Sequence, residues 1–378
     1  MLSSYLMSLY KKFLLLLSSV VMVLIYSHAT QPDEKIIRNV VYGDVAEGAI
    51  YTSIGNPADI FITQEYESPK LLILNSTGEI ITALPATTSP IAFQKLPSGN
   101  HAYATVSQRN NLLSAWYIEN KAGLTTKLTS QYAEITDPHT LLETPTGQYI
   151  LPGYKTHVTS PTSSVISFTL EKTDGSTSTL LWDSYDHIPV TDKIALDSNT
   201  PWDSEGNNNY FHGNHITYTN DGNLLISARN TSQVIKIDIN SGKVLWKLGG
   251  KSSDFAFIDD PYHGFNHQHS VHELANGNIL LYDNGNYHNP PITRMVEYEL
   301  NKETMQARLV WSYSQPGRFT YAAGSVQRLP NGNTLIGWGM EPSMSSTTPR
   351  ITEINKSGET MLDIFFPENI LFYSAYKF

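Results

Sequence analysis

The sequence predicts an all-β protein that folds as a six-bladed β-propeller with a central channel. Its 378 residues include 22 tyrosines, a residue type that favours strands over helices. No stretch of about 12 residues shows a 3.6-residue apolar period with capping residues at both ends, so long helices are not expected. A unit of four short strands recurs six times, about every 40 to 75 residues. Four-stranded repeats of this size are typical of propeller blades.

Each repeated unit has a short strand that ends in a turn, usually with glycine, followed by an apolar second strand. The second strands are predicted at 59–62, 99–103, 147–151, 222–226, 277–281 and 332–336. Third strands are predicted at 71–74, 113–116, 165–168, 233–238, 294–298 and 350–354. A β-sandwich with coincidental turns is the alternative, and the six copies in order favour the propeller.

The beginning of the chain has the composition of a secretory signal. Two lysines precede the apolar run 13–26, and 27–29 supplies the small residues of a cleavage site. The apolar run is shorter than the ~20 residues that a membrane-spanning helix needs. We therefore predict a cleaved signal peptide at 1–29, in preference to an uncleaved anchor, and one propeller domain at 30–378. A periplasmic or secreted protein with no stable membrane span is expected.

Composition limits the classes of partner and chemistry. The formal net charge is −10, from 25 Lys and Arg against 35 Asp and Glu, and no basic patch is available to neutralise phosphates. A nucleic-acid partner is therefore not expected. Cysteine is absent, which excludes disulfides, thiolate zinc sites and a cysteine nucleophile.

Histidines are concentrated where the inner strands of the blades are predicted. Six of the twelve histidines fall within 212–272. The inner strand of a blade is the segment before its glycine turn. Three blades carry a histidine seven or eight residues before that turn: His139, His215 and His269. We expect these three to form a ring at one height around the channel, with His212 and His267 slightly further out at the entrance.

Three chemistries use imidazoles in such a ring. His267 and His269 have the spacing of two metal ligands on one strand. Histidine is alternatively an acid–base catalyst for a neutral substrate, or a nucleophile that attacks a sulfuryl or phosphoryl group. In the third case a cation must hold the transferred oxygens, and Arg294, close behind the His269 strand, is the candidate. A solvated arginine at the rim is the alternative for Arg294.

Aromatic residues near the predicted channel mouth are candidates for stacking on an aryl group. Phe211 precedes His212, and Tyr321 lies at the start of the inner strand of the last blade. Ordinary packing between blades is the alternative for these side chains.

Several motifs together resemble the bacterial aryl-sulfate sulfotransferases. They are Phe211-His212-x-Asn214, Ser227-x-Arg229, the segment 242–250, Gln268-His269, Asp283-Asn284-Gly285 and Arg294-x-Val296-Glu297-Tyr298. The resemblance is firm from about 205 to 340 and diffuse before that. It implies an exported six-bladed propeller that moves a sulfuryl group from a phenolic sulfate ester to a phenolic acceptor, without a nucleotide sulfate donor. The reaction would pass through a covalent sulfohistidine, and no metal or other cofactor is expected.

The resemblance also implies roles for individual residues. His212, His269 and Arg294 would hold the sulfuryl oxygens or act as acid and base. Substrate binding is expected from six further residues: His215, His139, His267, Asn214, Phe211 and Tyr321. The nucleophilic histidine of the family aligns near 341–343 in the last blade, and this chain has no histidine after His288.

The missing histidine in the last blade leaves several alternatives open. Either His269 or His212 is the nucleophile, or the chemistry is altered, or it is lost. In the last case the protein would be a propeller that binds aromatic or sulfated ligands. A metal-dependent lyase or hydrolase that uses the ring of histidines is the remaining alternative.

Overall fold

The propeller predicted from the repeats is present in the structure. This computed structural model describes the backbone of 36–39 and residues 59–64, 69–86, 89–106, 114–194, 208–342, 350–366 and 372–378. These residues form a six-bladed β-propeller and, apart from Ile36, belong to one compact unit, Ile37–Phe378. The predicted signal peptide, 1–29, lies outside the described residues and stays a prediction. None of the described helices is long and apolar enough to cross a membrane.

The first three blades are antiparallel sheets whose strands follow one another in the chain, except that the inner strand of blade 1 comes from 376–377. Blade 1 contains β2 (Ile60–Gln64), β3 (Lys70–Leu74) and β4 (Ile80–Pro85), with β27 (Tyr376–Lys377) as its inner strand. Blade 2 contains β5 (Ser89–Lys95), β6 (His101–Val106), β7 (Ala115–Glu119) and β8 (Thr125–Leu128). Blade 3 contains β10 (Leu142–Glu143), β11 (Tyr149–Ser160), β12 (Ser163–Thr173) and β13 (Ser178–Asp183), and β9 (Ile135–Thr136) pairs with β11.

The last three blades complete the ring. Blade 4 contains β14 (Gly213–Tyr218), β15 (Leu224–Ala228), β16 (Gln233–Ile237) and β17 (Val244–Gly249). Blade 5 contains β19 (His269–Glu273), β20 (Ile279–Asp283), β21 (Arg294–Asn301) and β22 (Gln306–Tyr313), with β18 (Ala256–Ile258) parallel to β22. Blade 6 contains β23 (Ser325–Arg328), β24 (Thr334–Gly337), β25 (Arg350–Ile354) and β26 (Thr360–Phe365), and β1 (Ile36–Asn39) lies beside β26.

The second strands begin one or two residues later than predicted, because in most blades the Gly-Asn pair closes the turn instead of starting the strand. Gly222, for example, has a φ of 78° and donates its N–H to the carbonyl of Thr219 at 2.9 Å. Two short helical segments follow blade 3. Helix α1 (Ser184–His187) begins where Asp183 accepts a hydrogen bond from the N–H of Tyr185, and a 3₁₀ turn follows at Val190–Asp192.

Apolar side chains on both faces of the middle strands hold neighbouring blades together. In β15, Leu224 and Ile226 pack into the core between blades 3 and 4, whereas Leu225 packs into the core between blades 4 and 5. This division follows from the two-residue period of a strand. Each fully buried aliphatic side chain contributes about 1.5–3 kcal/mol relative to an exposed one. Packing on both faces therefore fixes each blade against two neighbours.

A ring of side-chain hydrogen bonds joins the inner edges of all six blades. At each junction a side chain of one blade donates to a backbone carbonyl of the next: Thr63 to Ile91, Gln94 to Leu141, Tyr154 to Gly213, Asn214 to Gln268, Ser270 to Val326 and Ser325 to Ala375. Inner strands have no strand partner on the channel side, so these bonds satisfy carbonyls that burial would otherwise leave unpaired. The last junction connects blade 6 to β27 and closes the ring.

Candidate functional site

The histidines of the channel form two groups instead of the single ring predicted from spacing. The first group, called here the imidazole cluster, comprises His139, His212 and His269. The ring centroids of His139 and His212 are 5.5 Å apart, and the ring of Tyr373 lies 4.8 Å from His139 and 5.8 Å from His269. His215 belongs to the second group, because its ring lies 5.0 Å from His272.

Irregular backbone at the start of two inner strands explains this difference. Pairing shifts register between Gly213 and His215 in blade 4, and between His269 and His272 in blade 5. His212, just before the blade 4 strand, also has a left-handed backbone, with a φ of 48°. Counting residues back from the glycine turn therefore misjudges the height of a side chain in the channel. Left-handed non-glycine residues are strained and are often found at functional sites.

A hydrogen bond to Asn284 determines which nitrogen of His269 carries the proton. Asn284 Nδ2 donates to the carbonyls of Thr320 and Ala323 at 3.0 and 3.1 Å, so its Oδ1 is left to accept. His269 Nδ1 lies 2.7 Å from that oxygen and must donate to it. In the neutral ring Nε2 then carries the lone pair. His269 is thus oriented with an unprotonated nitrogen available for chemistry.

The surroundings of His269 keep its imidazole neutral. Burial is the largest cause that lowers its pKa, to about 3, and the Arg229 cation and His139 act in the same direction. The hydrogen bonds with Asn284 and with the backbone of His267 oppose this shift. The side chain is 2% exposed. Near neutral pH the ring is therefore a base or nucleophile and not a cation.

His139 is paired with a buried carboxylate that the sequence analysis did not identify. Asp137 Oδ2 lies 2.7 Å from His139 Nδ1, and Asp137 Oδ1 accepts the N–H of His139 at 2.9 Å. Asp137 is 1% exposed, whereas the His139 ring is 12% exposed. This arrangement fixes the orientation of the ring and points His139 Nε2 away from the carboxylate. The spacing Asp-x-His is the signal from which the pair was predictable.

His212 completes the cluster and is held by its neighbours on both sides in the chain. Its N–H donates to Asn209 Oδ1 at 2.8 Å, and its ring stacks on Tyr154 at 6.0 Å. Gly213 is required after it, since a Cβ there would lie 2.5 Å from the Phe168 ring. Burial, followed by the charges of His139 and Arg229, lowers the pKa of His212 well below its usual value.

Arg229 is the cation associated with the cluster. Its side chain is buried, and its charge lowers the pKa values of His212, His267 and His269. Its Nη1 donates to Asn230 Oδ1 at 3.0 Å, and its backbone N–H donates to the His212 carbonyl. The sequence analysis noted Arg229 only as part of a motif and did not assign it to the site.

Arg294, predicted to hold sulfuryl oxygens, is engaged in a separate buried network. Its guanidinium donates to Asp260 at 2.8 Å and to Asp283 at 2.9 Å, and also to the Gly264 carbonyl at 2.7 Å. Its carbon Cζ lies 4.6 Å from the centre of the Tyr262 ring. These partners occupy the faces and edges of the guanidinium. The structure therefore places Arg294 as a brace within blade 5 and outside the imidazole cluster.

Two predicted substrate-binding residues pack within or between blades. Phe211 is fully buried, and its ring stacks on Phe168 at 5.6 Å in the core between blades 3 and 4. Asn214 donates to the Gln268 carbonyl at 2.8 Å and so holds the backbone that precedes His269. Phe211 has no exposed surface for a ligand because the apolar core takes its ring. Asn214 belongs to the ring of hydrogen bonds between blades, and through it positions the backbone next to His269.

His267 and Tyr321 precede the inner strands of blades 5 and 6. His267 is fully buried with no hydrogen-bond partner on either ring nitrogen, and its ring lies 4.7 Å from Tyr287, which is 38% exposed. Tyr321 is 5% exposed and bonds through its backbone N–H to Met340 at 2.8 Å. His267 therefore has donor and acceptor capacity to offer, whereas Tyr321 has a packing role.

The segment aligned with the family's nucleophile carries an acid. Glu341 lies 2.7 Å from Arg318, whose guanidinium covers the Trp338 ring at 4.4 Å. Across the described ranges, no three His, Asp or Glu side chains converge as metal ligands would. The site that these ranges do contain is the imidazole cluster with Asp137, Asn284 and Arg229.

The buried neutral histidines predict loss of stability in acid. The pKa is lowered mainly by burial to about 3 for His269 and about 4 for His272, whereas both titrate near 6.5 when unfolded. Below pH 6.5 the unfolded chain therefore binds more protons, and stability falls as the pH falls towards 4 and 3. Linkage gives a loss of about 2 kcal/mol for each histidine between pH 7.5 and 5.

Urea unfolding at the two pH values measures this loss. We expect His272→Gln to lose less stability than the wild type over this interval, and the exposed His187→Gln control to match the wild type. Equal losses in His272→Gln and wild type would contradict the assignment.

Comparisons with solved structures support the fold. A protein of unknown function from Bacteroides caccae has a TM-score of 0.54 and 13% identity, over 85% of this chain and 98% of that one. A chain of a nidogen/laminin complex has a TM-score of 0.50 and 10% identity, over 84% of this chain and 97% of that one. At these identities the likeness concerns the fold alone. No match to a curated protein was found.

The family comparison covers most of the chain. The model named Arylsulfotransferase (ASST) matches residues 52–377, a range that includes all six blades and every residue of the imidazole cluster. The resemblance carried by the motifs in blades 4 and 5 is confirmed by this match. The chain belongs to the arylsulfotransferase family.

Proposed function

We propose that this protein transfers a sulfuryl group from a phenolic sulfate ester to a phenolic acceptor, with His269 as the nucleophile and without a nucleotide sulfate donor. The family acts on small aryl substrates. The observation that carries the proposal is the hydrogen bond from His269 Nδ1 to Asn284 Oδ1, which leaves the lone pair on Nε2. A neutral imidazole in a fixed tautomer is what attack on sulfur requires.

In the first half-reaction, His269 Nε2 attacks the sulfur atom of the ester. The N–S bond forms as the S–O bond to the aryl group breaks, and the electron pair of that bond goes to the phenol oxygen. Protonated His139 gives this oxygen its proton, while Asp137 holds His139 Nδ1 at 2.7 Å. Sulfation leaves the His269 ring with positive charge, which the Nδ1–H bond to Asn284 stabilises.

The second half-reaction reverses these steps on the acceptor. Neutral His139 takes the proton of the acceptor phenol as its oxygen attacks sulfur, and the N–S electron pair returns to Nε2. The phenol formed from the donor leaves before the acceptor attacks, so the kinetics are ping-pong. Arg229, with the ring N–H groups of His212 and His267, would bind the three sulfuryl oxygens. Arg229 is the choice because it is a buried cation whose charge lowers the pKa values of His212, His267 and His269.

The nucleophile is tested by intact mass after incubation with a chromogenic aryl sulfate. We expect the wild type to gain one sulfuryl group in the absence of acceptor, and His269→Ala to gain none. His212→Ala is the matched control, since His212 lies in the same cluster but has no comparable bond to fix its tautomer. An adduct that persists in His269→Ala and disappears in His212→Ala would assign the role to His212. Absence of both adduct and turnover in the wild type would favour a propeller that only binds its ligand.

Substitution of Arg229 is expected to lower activity, whereas substitution of Arg294 is expected to lower stability. Arg229→Gln should lower kcat/KM for the aryl sulfate about 10²- to 10³-fold, because the sulfuryl charge loses a preorganised donor. Arg294→Gln should instead destabilise the fold by about 3–5 kcal/mol, because the buried carboxylates of Asp260 and Asp283 lose their partner. Steady-state kinetics and urea unfolding on both variants separate the effects. If Arg294→Gln loses activity at unchanged stability, Arg294 belongs to the reaction centre.

We also propose that the protein is exported, and that its mature form begins after the predicted signal at 1–29. The run of apolar residues after two lysines supports this proposal. Amino-terminal sequencing of protein recovered from the periplasm or medium should begin near Thr30. Recovery of the intact chain in the membrane fraction would instead indicate an uncleaved anchor.

A further inference from the structure

The turn between β15 and β16 of blade 4, residues 229–232, contacts the backbone of two channel histidines. The N–H of Arg229 donates to the carbonyl of His212 at 3.0 Å. On the other side, the Ser232 hydroxyl accepts the N–H of His267 at 3.2 Å. Ser232 closes the turn with a left-handed backbone, at a φ of 51°, and a bond from its N–H to the Arg229 carbonyl. The turn therefore fixes His212 and His267 relative to each other.

Asn230, the second residue of this turn, is 1% exposed and pairs each of its polar groups. Its N–H donates to the carbonyl of Phe211 at 3.1 Å, and its carbonyl accepts the N–H of Ile194 at 2.9 Å. In the side chain, Oδ1 accepts from Nη1 of Arg229 at 3.0 Å, and Nδ2 donates to the carbonyl of Asn209 at 2.8 Å. The fold therefore holds this amide in one orientation.

The two side-chain bonds require an amide at position 230. A guanidinium can only donate hydrogen bonds and a backbone carbonyl can only accept them, so the side chain between them must offer one acceptor and one donor. An aspartate would present a second oxygen to the Asn209 carbonyl and would place a negative charge next to Arg229. An alanine would leave both buried partners without their bonds. Asparagine meets both demands without adding charge.

Asn230 also connects the guanidinium of Arg229 to the backbone of His212. The residue whose carbonyl Asn230 binds, Asn209, accepts the N–H of His212 on its own Oδ1 at 2.8 Å. His212 has a left-handed backbone, which is strained for a residue with a side chain and persists only where the surroundings hold it. The position of Arg229 relative to the His212 ring is thus set through Asn230.

The neutral acceptor on Asn230 distinguishes this contact from those of other arginines. Four arginines of the described ranges pair with carboxylates: Arg294, Arg318, Arg328 and Arg350. A carboxylate partner cancels the charge of a guanidinium, whereas an amide oxygen satisfies one N–H and adds no negative charge. The charge of Arg229 lowers the pKa values of His212 and His269, so it acts on the imidazole cluster.

We propose that Asn230 is a positioning residue, which fixes the Arg229 guanidinium against His212 and leaves its positive charge available to an anionic group at the imidazole cluster. The inference rests on the proposed function for the identity of that anion as a sulfuryl group. Asn230 itself acts only through Arg229 and through the backbone that carries His212.

The role is tested by calorimetry with 2-naphthalenesulfonate, which carries three oxygens and one negative charge on sulfur but cannot transfer its sulfuryl group. The neutral 2-naphthalenesulfonamide is the matched probe. Asn230→Asp should weaken sulfonate binding at least about tenfold, because the new carboxylate competes for Arg229, and should leave sulfonamide binding within about twofold. Asn230→Ala adds no charge and should weaken only the sulfonate, about threefold, as the guanidinium loses its orientation.

Asn223→Asp is the control, since it adds the same charge at the opposite end of β15 and keeps the acceptor for the Ile239 N–H. It should bind both probes as the wild type does. Equal weakening of both probes in Asn230→Asp would reveal a merely structural role and overturn the inference, as would wild-type affinity for the sulfonate in that variant or no sulfonate binding by the wild type. If Asn230→Asp fails to fold, the same comparison of probes in Asn230→Ala decides.

Kinetics with p-nitrophenyl sulfate separate this inference from the proposed function. We expect kcat/KM to fall from wild type to Asn230→Ala and further to Asn230→Asp. If the wild type transfers sulfuryl groups and Asn230→Asp does so equally fast, the role of Asn230 fails while the proposed function stands. If the sulfonate follows the expected order but the wild type transfers nothing, the proposed function fails and the role of Asn230 stands.

Discussion

The structure depends on how the inner strands of a closed ring satisfy their backbone hydrogen bonds. Each inner strand has a partner on one side only, and its other edge is buried in the channel. One side chain per junction supplies the missing donor, from Thr63 between blades 1 and 2 to Ser325 between blades 6 and 1. A ring that lacked one of these donors would bury an unpaired carbonyl, at about 1–3 kcal/mol. The fold itself therefore requires polar side chains at the inner edge of the propeller, independently of any reaction there.

The imidazole cluster is built into this polar edge. Asn214, which joins blade 4 to blade 5, lies between His212 and His215 in the chain, and Ser270, which joins blade 5 to blade 6, follows His269. The bonds that close the ring therefore fix the backbone on both sides of the histidines. The ring of His269 is also held by its own hydrogen bond to Asn284. Side chains held by packing and by neighbouring hydrogen bonds are preorganised for chemistry.

The sequence predicted the propeller well because blades repeat: the glycine turn and the apolar second strand recur in nearly every unit. It also placed His139, His212 and His269 near the channel, since they lie close before or within inner strands. It could not give their heights, because the register shifts beside Gly213 and after His269 leave no mark in the spacing. The sequence did not separate the roles of Arg294 and Arg229. Arg294 is paired with Asp283 on the neighbouring strand and with Asp260, which lies 34 residues away, and these contacts show that its charge is neutralised within blade 5.

The distribution of charge divides the channel into two environments. A protein with a net charge of −10 places one buried guanidinium, Arg229, beside imidazoles that burial keeps neutral. That half can hold an anion without long-range repulsion from surface carboxylates, because a buried cation at short range outweighs distant charges that salt screens. The other half has opposite charges that cancel and a wall of aromatic rings. His139 borders both environments, since it lines the aromatic half and its ring lies 5.5 Å from that of His212.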